Sequence, residues 1–272
     1  MIFVHGIKFL CSCENHITKY NINICKNSGG LNMQIKAVKL FEGGSFTEEF
    51  VFGGENKADG RKDVSYPGSL QNFLIDTGNE VILVDTGFPP ETPFKGYTKI
   101  NDYVPALEAL GYKPEQVSKI LVTHKHADHS GELKSFPNAK IYIGPEDADA
   151  LKLTGGNIIR ATYSDGPYHN FPESQKIADG IYFIKARGHT KGNSIVIAES
   201  DGLYYMMHGD VTYVDAALHA NKLSIVFEDL AAARETIERV SEFVKNNPTV
   251  YLSTHTPEGV TNLEGKIIMK LD

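Results

Sequence analysis

Lys119-Ile120-Leu121-Val122-Thr123-His124-Lys125-His126-Ala127-Asp128-His129-Ser130-Gly131 is an apolar, β-branched run that ends abruptly in metal-ligating side chains. Positions 120–123 have the composition of a buried strand. In extended chain, residues two apart point the same way, so His124 and His126 can grip one ion. A helix beginning near Ala127 turns Asp128 and His129 in another direction, where they can hold a second ion. Imidazole and carboxylate are the usual ligands of zinc and similar divalent ions. A solvated loop gives no reason for three imidazoles and a carboxylate to crowd into positions 124–129.

Three further apolar runs end in the same manner. Positions 181–186 lead into Gly188-His189-Thr190, 203–207 into Gly209-Asp210, and 250–253 into Thr254-His255-Thr256. Singly, each is ordinary: Gly-Asp is a common turn, and a lone histidine is more often structural. Together they repeat one arrangement, a strand carrying a ligand to one edge of a sheet. His169 and His219 lack such company and read as surface or core residues. The set is His124, His126, Asp128, His129, His189, Asp210 and His255. A catalytic zinc usually takes three protein ligands and keeps a position open. Seven ligands therefore suit two ions, with three private ligands each and one shared carboxylate.

His-x-His-x-Asp-His, then Gly-His-Thr, Gly-Asp and a late His, resembles the pattern of the metallo-β-lactamase-fold hydrolases, from about Met33 to the C-terminus. The resemblance implies an α/β fold: an αββα sandwich of two mixed β-sheets flanked by helices, with the metals at one edge. Carried over by position, it implies His124, His126 and His189 at the first metal, Asp128, His129 and His255 at the second, and Asp210 bridging. Asp85, in Val-Asp-Thr-Gly, matches a position that supports the metal shell; by itself it also reads as a turn residue. Within the superfamily the chain is most similar to the N-acyl homoserine lactonases. These also have a bridging Asp, a late His and a Tyr three residues after the bridging Asp, which Tyr213 matches. Read alone, Tyr213 is also consistent with ordinary packing. Two features depart from those lactonases: Ala127 stands where some carry a bulky aromatic lining the acyl pocket, and 154–176 matches nothing.

The implied activity is that of a dinuclear metal-dependent hydrolase that opens a lactone or similar small-molecule ester by attack of a metal-bound hydroxide. The implied cofactor is two divalent ions, zinc first, with Mn, Fe or Co also compatible with such ligands. Asp128 and Tyr213 are the catalytic side chains, the first passing a proton to the leaving alkoxide and the second hydrogen-bonding the substrate. A glyoxalase II-like thioesterase is an alternative, although too little chain follows His255 for the helical substrate domain typical of those enzymes. A mononuclear-iron persulfide dioxygenase is another, using fewer of these ligands. A non-catalytic metal-binding module leaves the near-complete ligand set without a purpose.

With 272 residues, 41% of them hydrophobic, the chain can bury the core of one large α/β domain. A net charge of −7 argues against a polyanionic partner, and no basic arm for nucleic acid is evident. No apolar run approaches the length of a membrane span. The three cysteines, Cys11, Cys13 and Cys25, precede residue 33, so the rest has neither disulfide nor thiolate ligand, which predicts a reducing, cytoplasmic setting.

Residues 1–32 show no helical or strand periodicity and are expected to be a non-native leader or disordered extension before a single domain, 33–272. The apolar start is broken by His5 and Lys8, a poor signal peptide. Gly29-Gly30 is encodable by a purine-rich stretch, Leu31-Asn32 is a short spacer, and Met33 follows. That is the layout of a bacterial ribosome-binding site, so translation is expected to start at Met33 and not at Met1. Beyond it, strands are predicted at 35–40, 50–52, 70–76, 81–86, 140–143, 181–185, 194–198, 203–207 and 250–253, and helices at 101–110, 146–153 and 230–246. The irregular segment 154–176 is expected to form a lid or binding wall.

Overall fold

Two mixed sheets lie face to face in the computed structural model, which describes residues 33–271. The expected leader with Cys11, Cys13 and Cys25, and Asp272, lie outside the described residues. The first sheet contains β1 (Gln34–Thr47), β2 (Ser65–Asp76), β3 (Val81–Val84), β4 (Thr98–Lys99), β5 (Val117–Val122), β6 (Lys140–Ile143) and β7 (Ile158–Arg160), in the order β4-β1-β2-β3-β5-β6-β7. The second contains β8 (Ser174–Ala178), β9 (Ile181–Lys185), β10 (Ser194–Ser200), β11 (Leu203–Met207) and β12 (Thr249–Leu252), in the order β12-β11-β10-β9-β8. The helices are α1 (Glu48–Phe52), α2 (Tyr103–Ala109), α3 (Ala127–Ser130), α4 (Pro145–Ala150), α5 (Asp215–Ala220), α6 (Leu230–Asn246) and α7 (Glu258–Gly265).

Alternation along the strands sorts the side chains into three apolar layers. Leu121, Ile82, Val84, Val196 and Met207 pack between the sheets. Their neighbours Ile120, Val122 and Leu83 face outward beneath α2. On the far side, Ile195, Ile197 and Met206 pack against Ile237, Val240 and Phe243 of α6. Because β5 is parallel to both β3 and β6 and is covered on both faces, it reads as an unbroken apolar run. The α6 helix starts where the Asp229 side chain accepts from Ala232 N at 3.0 Å. Its buried residues, Ala233, Thr236, Ile237, Val240, Phe243 and Val244, form one helical stripe.

Two expectations are corrected. Phe50-Val51-Phe52 is not a strand but the end of α1. The Thr47 hydroxyl accepts from Phe50 N at 3.2 Å, and Glu48 and Glu49 occupy the first turn. This capping signal outweighs the β-forming composition of the three residues. The segment 154–176 is not a lid: it supplies β7, the start of β8, and aromatic packing outside the second sheet. Tyr168 and Phe171 lie 6.2 and 5.6 Å from Phe243, ring centre to ring centre, which fixes this stretch against α6. The strand expected at 35–40 continues to Thr47, passing through two irregularities in its pairing with β2.

Candidate metal centre

Strands β9, β11 and β12 run in one direction, so the loops after their C-terminal ends emerge at a single edge. His189, Asp210 and His255 stand on those three loops, and the loop after β5 brings His124 to the same place from the other sheet. His126 is extended (φ −63, ψ 151) and caps the one-turn α3, which carries Asp128 and His129 away in a different direction. All seven predicted ligands gather in two adjoining groups: His124, His126, His189 and Asp210, then Asp128, His129 and His255. Within each group the ligand atoms lie within 4.8 Å of one another.

In the first group, His124 Nε2 is 3.0 Å from His126 Nδ1 and 3.1 Å from His189 Nε2, which is itself 2.9 Å from His126 Nδ1. In the second, His129 Nε2 and His255 Nε2 each lie 3.0 Å from Asp210 Oδ1. The other Asp210 oxygen, Oδ2, faces His189 at 3.4 Å and His124 at 3.8 Å. Asp210 therefore stands between the groups, one oxygen toward each.

Hydrogen bonds behind the rings decide which nitrogens are free. Asp85 accepts from Thr123 N at 2.7 Å, Thr123 Oγ1 at 2.8 Å and His129 Nδ1 at 2.8 Å. Nδ1 of His129 is thus held as a donor, which makes Nε2 the nitrogen turned toward the other ligands. With the Thr123 hydroxyl proton committed to Asp85, its oxygen takes the Nδ1 proton of His124 at 3.1 Å, which frees His124 Nε2 in turn. The Val226 carbonyl does the same for His189, accepting from Nδ1 at 3.1 Å. Asp85 has φ +66, an uncommon backbone for a non-glycine residue. Gly209 is required beside Asp210: at φ +55, a Cβ there would lie 2.7 Å from the Thr123 hydroxyl oxygen.

The donor set fits divalent ions. His129 Nε2, Asp210 Oδ1 and His255 Nε2 are buried without a hydrogen-bond partner, although both nitrogens lie 3.0 Å from that oxygen. Native proteins rarely leave such groups unpaired; converging lone pairs on imidazole and carboxylate are what a zinc-like ion requires. Burial and the surrounding histidines hold His124 well below the usual imidazole range. Burial likewise lowers His189 to about 4. Both rings are consequently neutral near pH 7, the form that ligates. Burial would lower His129 also, but the Asp210, Asp85 and Asp128 carboxylates outweigh it and push it up. Burial opposes ionisation of Asp210, yet His255, His129, His124 and His189 hold it far below the carboxylate range.

Tyr213 stands at the edge of this cluster. Its ring stacks on His255 at 5.0 Å, and its hydroxyl is close enough to Asp210 to feel that charge. Burial and the Asp210 charge raise its pKa well above the usual value, so the phenol remains a donor. Phe46 and Phe50 flank it at 5.4 and 4.9 Å, and Phe46 is also 6.0 Å from His255. His169 and His219 are exposed and take no part.

Several contributors carry no local signal in the sequence. Buried Asp147 accepts from Lys125 N at 3.0 Å, Thr190 Oγ1 at 2.6 Å and Gly192 N at 3.1 Å. It ties the loop of His124 and His126 to the loop of His189. His208 is buried and stacked on Tyr251 at 3.9 Å, with burial lowering its pKa to about 3. Only their contacts, made across the fold, distinguish these residues from ordinary polar positions.

The profile of the metallo-beta-lactamase superfamily matches residues 67–216. An N-acyl homoserine lactonase of Bacillus cereus is 26% identical over 208 residues, covering 68% of this chain and 82% of the relative. A solved N-acyl homoserine lactone hydrolase, with the product N-hexanoyl-L-homoserine bound at its catalytic metal centre, superposes with a TM-score of 0.62. It is 17% identical, and the match covers 85% of this chain and 95% of that one. AidC, a dizinc quorum-quenching lactonase in complex with a product, gives a TM-score of 0.61 at 16% identity, covering 84% and 89%. At these identities the two structural likenesses speak for the fold.

Proposed function

Because the chain belongs to the metallo-beta-lactamase superfamily and is a metal-dependent hydrolase, we propose that the bond it breaks is a carboxylic ester, in the first place that of a lactone. The observation that carries this reading is the pair of ligand groups sharing Asp210, beside a protonated Tyr213. His124, His126 and His189 would hold one divalent ion and Asp128, His129 and His255 the other, with Asp210 available to both. Zinc is the first choice for such ligands. When bound, two such ions acidify a water and polarise a carbonyl.

The side chains supply the remainder. Asp85 and the Val226 carbonyl orient the imidazoles before any ion arrives. The Tyr213 hydroxyl, kept protonated at working pH, donates to an oxygen of the substrate where negative charge develops. Asp128 is only partly buried, its side chain 16% exposed, and it faces His255 at 3.5 Å. From that position it takes a proton at its carboxylate and returns it to the leaving alkoxide. Phe46 and Phe50 give the apolar part of the substrate a surface to lie on. The substrate is a small molecule.

The test is a panel of lactones, esters and thioesters, with metal content measured on the same sample. Two ions per chain and preferential lactone opening support the proposal. Preference for thioesters moves it to a glyoxalase II-like activity; one iron per chain with oxygen consumption moves it to a dioxygenase. Tyr213→Phe is expected to keep its metal while kcat falls about 10- to 100-fold, and an unchanged rate removes that hydroxyl from the mechanism.

A further inference from the structure

Tyr97 lies on the stretch between β3 and α2, a stretch to which the residue pattern assigns no chemistry. Its ring is partly exposed, but its hydroxyl is buried and has no hydrogen-bond partner among the described residues. The position is built in three ways. The next two residues form β4, which pairs with β1 through Phe41↔Lys99 and Glu42↔Thr98. The Tyr97 ring stacks on Phe94 at 4.0 Å and only 5° from parallel. The ring also lies in a notch made by Gly44 of β1 and Gly68 of β2, which oppose one another in register. A Cβ on Gly44 would overlap the tyrosine ring, and one on Gly68 would stand 2.5 Å from its hydroxyl oxygen. Two glycines facing each other across a strand pair thus leave room for this one phenol.

One aromatic ring separates Tyr97 from the metal centre. Phe46 touches Tyr97 at 6.5 Å, Tyr213 at 5.4 Å and His255 at 6.0 Å, linking the stretch to the ligands. Burial and the nearby Asp128 carboxylate raise the Tyr97 phenol to about 12, so it stays protonated. A buried O–H without an acceptor is costly unless something arrives to accept from it.

We infer that the Tyr97 hydroxyl is a second substrate-binding phenol, which donates a hydrogen bond to a carbonyl oxygen of the substrate outside the ester under attack. The inference rests on the lactone reading above. It gives the site two donors with separate tasks: Tyr213 at the reacting end and Tyr97 where the polar part of the substrate meets the aromatic surface of Phe46 and Phe94. A substrate with an acylamino group beside the lactone ring offers such a carbonyl; a simple alkyl lactone does not.

The experiment compares zinc-loaded wild type and Tyr97→Phe on N-hexanoyl homoserine lactone and on γ-decalactone. The variant keeps the ring in its notch, and thermal unfolding and metal content check that it does. The expected result is a KM raised up to about tenfold on the acylamino lactone, the loss of one hydrogen bond, and a markedly smaller rise on γ-decalactone. Equal KM values for the two enzymes on the acylamino lactone, or the same rise on both substrates, overturn the inference while leaving the lactone reading intact. Failure of the wild type to open either lactone overturns the lactone reading itself, and this inference with it.

Discussion

The metal-facing floor of the site and the aromatic wall beside it are built in opposite ways. The floor is drawn from both sheets and held from behind by buried carboxylates: Asp85 under His129 and Thr123, and Asp147 between the two loops that carry His124, His126 and His189. Asp85 and Asp147 each accept three hydrogen bonds beneath it, whereas His129 Nε2, His255 Nε2 and Asp210 Oδ1 converge without a hydrogen-bond partner among the described residues. The wall is Phe46, Phe50, Phe94 and Tyr97, taken from the end of β1, the short α1 and the stretch before β4. It is held by ring stacking and by glycines that make room. Chemistry demands a fixed donor geometry, whereas substrate choice needs only a surface of suitable shape.

The contrast predicts that changes in the floor act through metal and changes in the wall act through KM. The largest expected effect is Asp85→Ala. It leaves the Nδ1 proton of His129 and the Thr123 hydroxyl unaccepted, and metal affinity falls about 10- to 100-fold. Equilibrium titration with a competing chelator measures this; undiminished affinity would detach Asp85 from the floor. Asp147→Ala removes three hydrogen bonds at once and lowers stability by about 2–4 kcal/mol. Denaturant unfolding of the metal-free protein reads that loss, and a shift within error would show that the two loops hold themselves.

Phe46→Ala belongs to the wall. It should keep both ions and raise KM for N-hexanoyl homoserine lactone about fivefold, the worth of part of a buried ring surface; steady-state kinetics beside metal analysis decide. The smallest effect on the site comes from Asp215, at the start of α5 behind Tyr213. Burial pushes its carboxyl up to about 6, while Asn262 Nδ2 donates to it at 2.8 Å. The folded protein thus holds a proton that the unfolded chain has released above about pH 4, so Asp215 costs stability increasingly as pH rises through about 6. Asp215→Asn should therefore match wild type at pH 4 and exceed it by about 2 kcal/mol at pH 8, with metal content unchanged. Unfolding curves at the two pH values measure it, and an equal gain at both would assign the effect to packing.

The same contrast explains what the residues disclose unaided. The floor is legible because metal ligation demands particular residue types, and strands deliver them with their own periodicity. An apolar run ending in Gly-His or Gly-Asp shows this even though His124 and His255 are far apart in the chain. The strands are legible as apolar runs, but because β5 and β10 are apolar on both faces their residues do not say which side meets the other sheet. Asp147 gives no such sign: its work is to accept from Lys125 N and Gly192 N, contacts that exist only in the folded chain. Tyr97 is similar, because its place depends on Gly44 and Gly68 being in register. The misassigned 50–52 stretch shows a local contest, in which a threonine cap followed by two glutamates turned a β-like triplet into a helix.

Everything in the centre depends on Asp210 offering one oxygen to each group of histidines. Metal analysis of wild type and Asp210→Ala, both loaded with zinc and freed of excess, tests this most directly. Two ions per chain in the wild type and fewer than one in the variant are the predicted result; one ion in the wild type, or two retained without Asp210, would contradict a shared carboxylate.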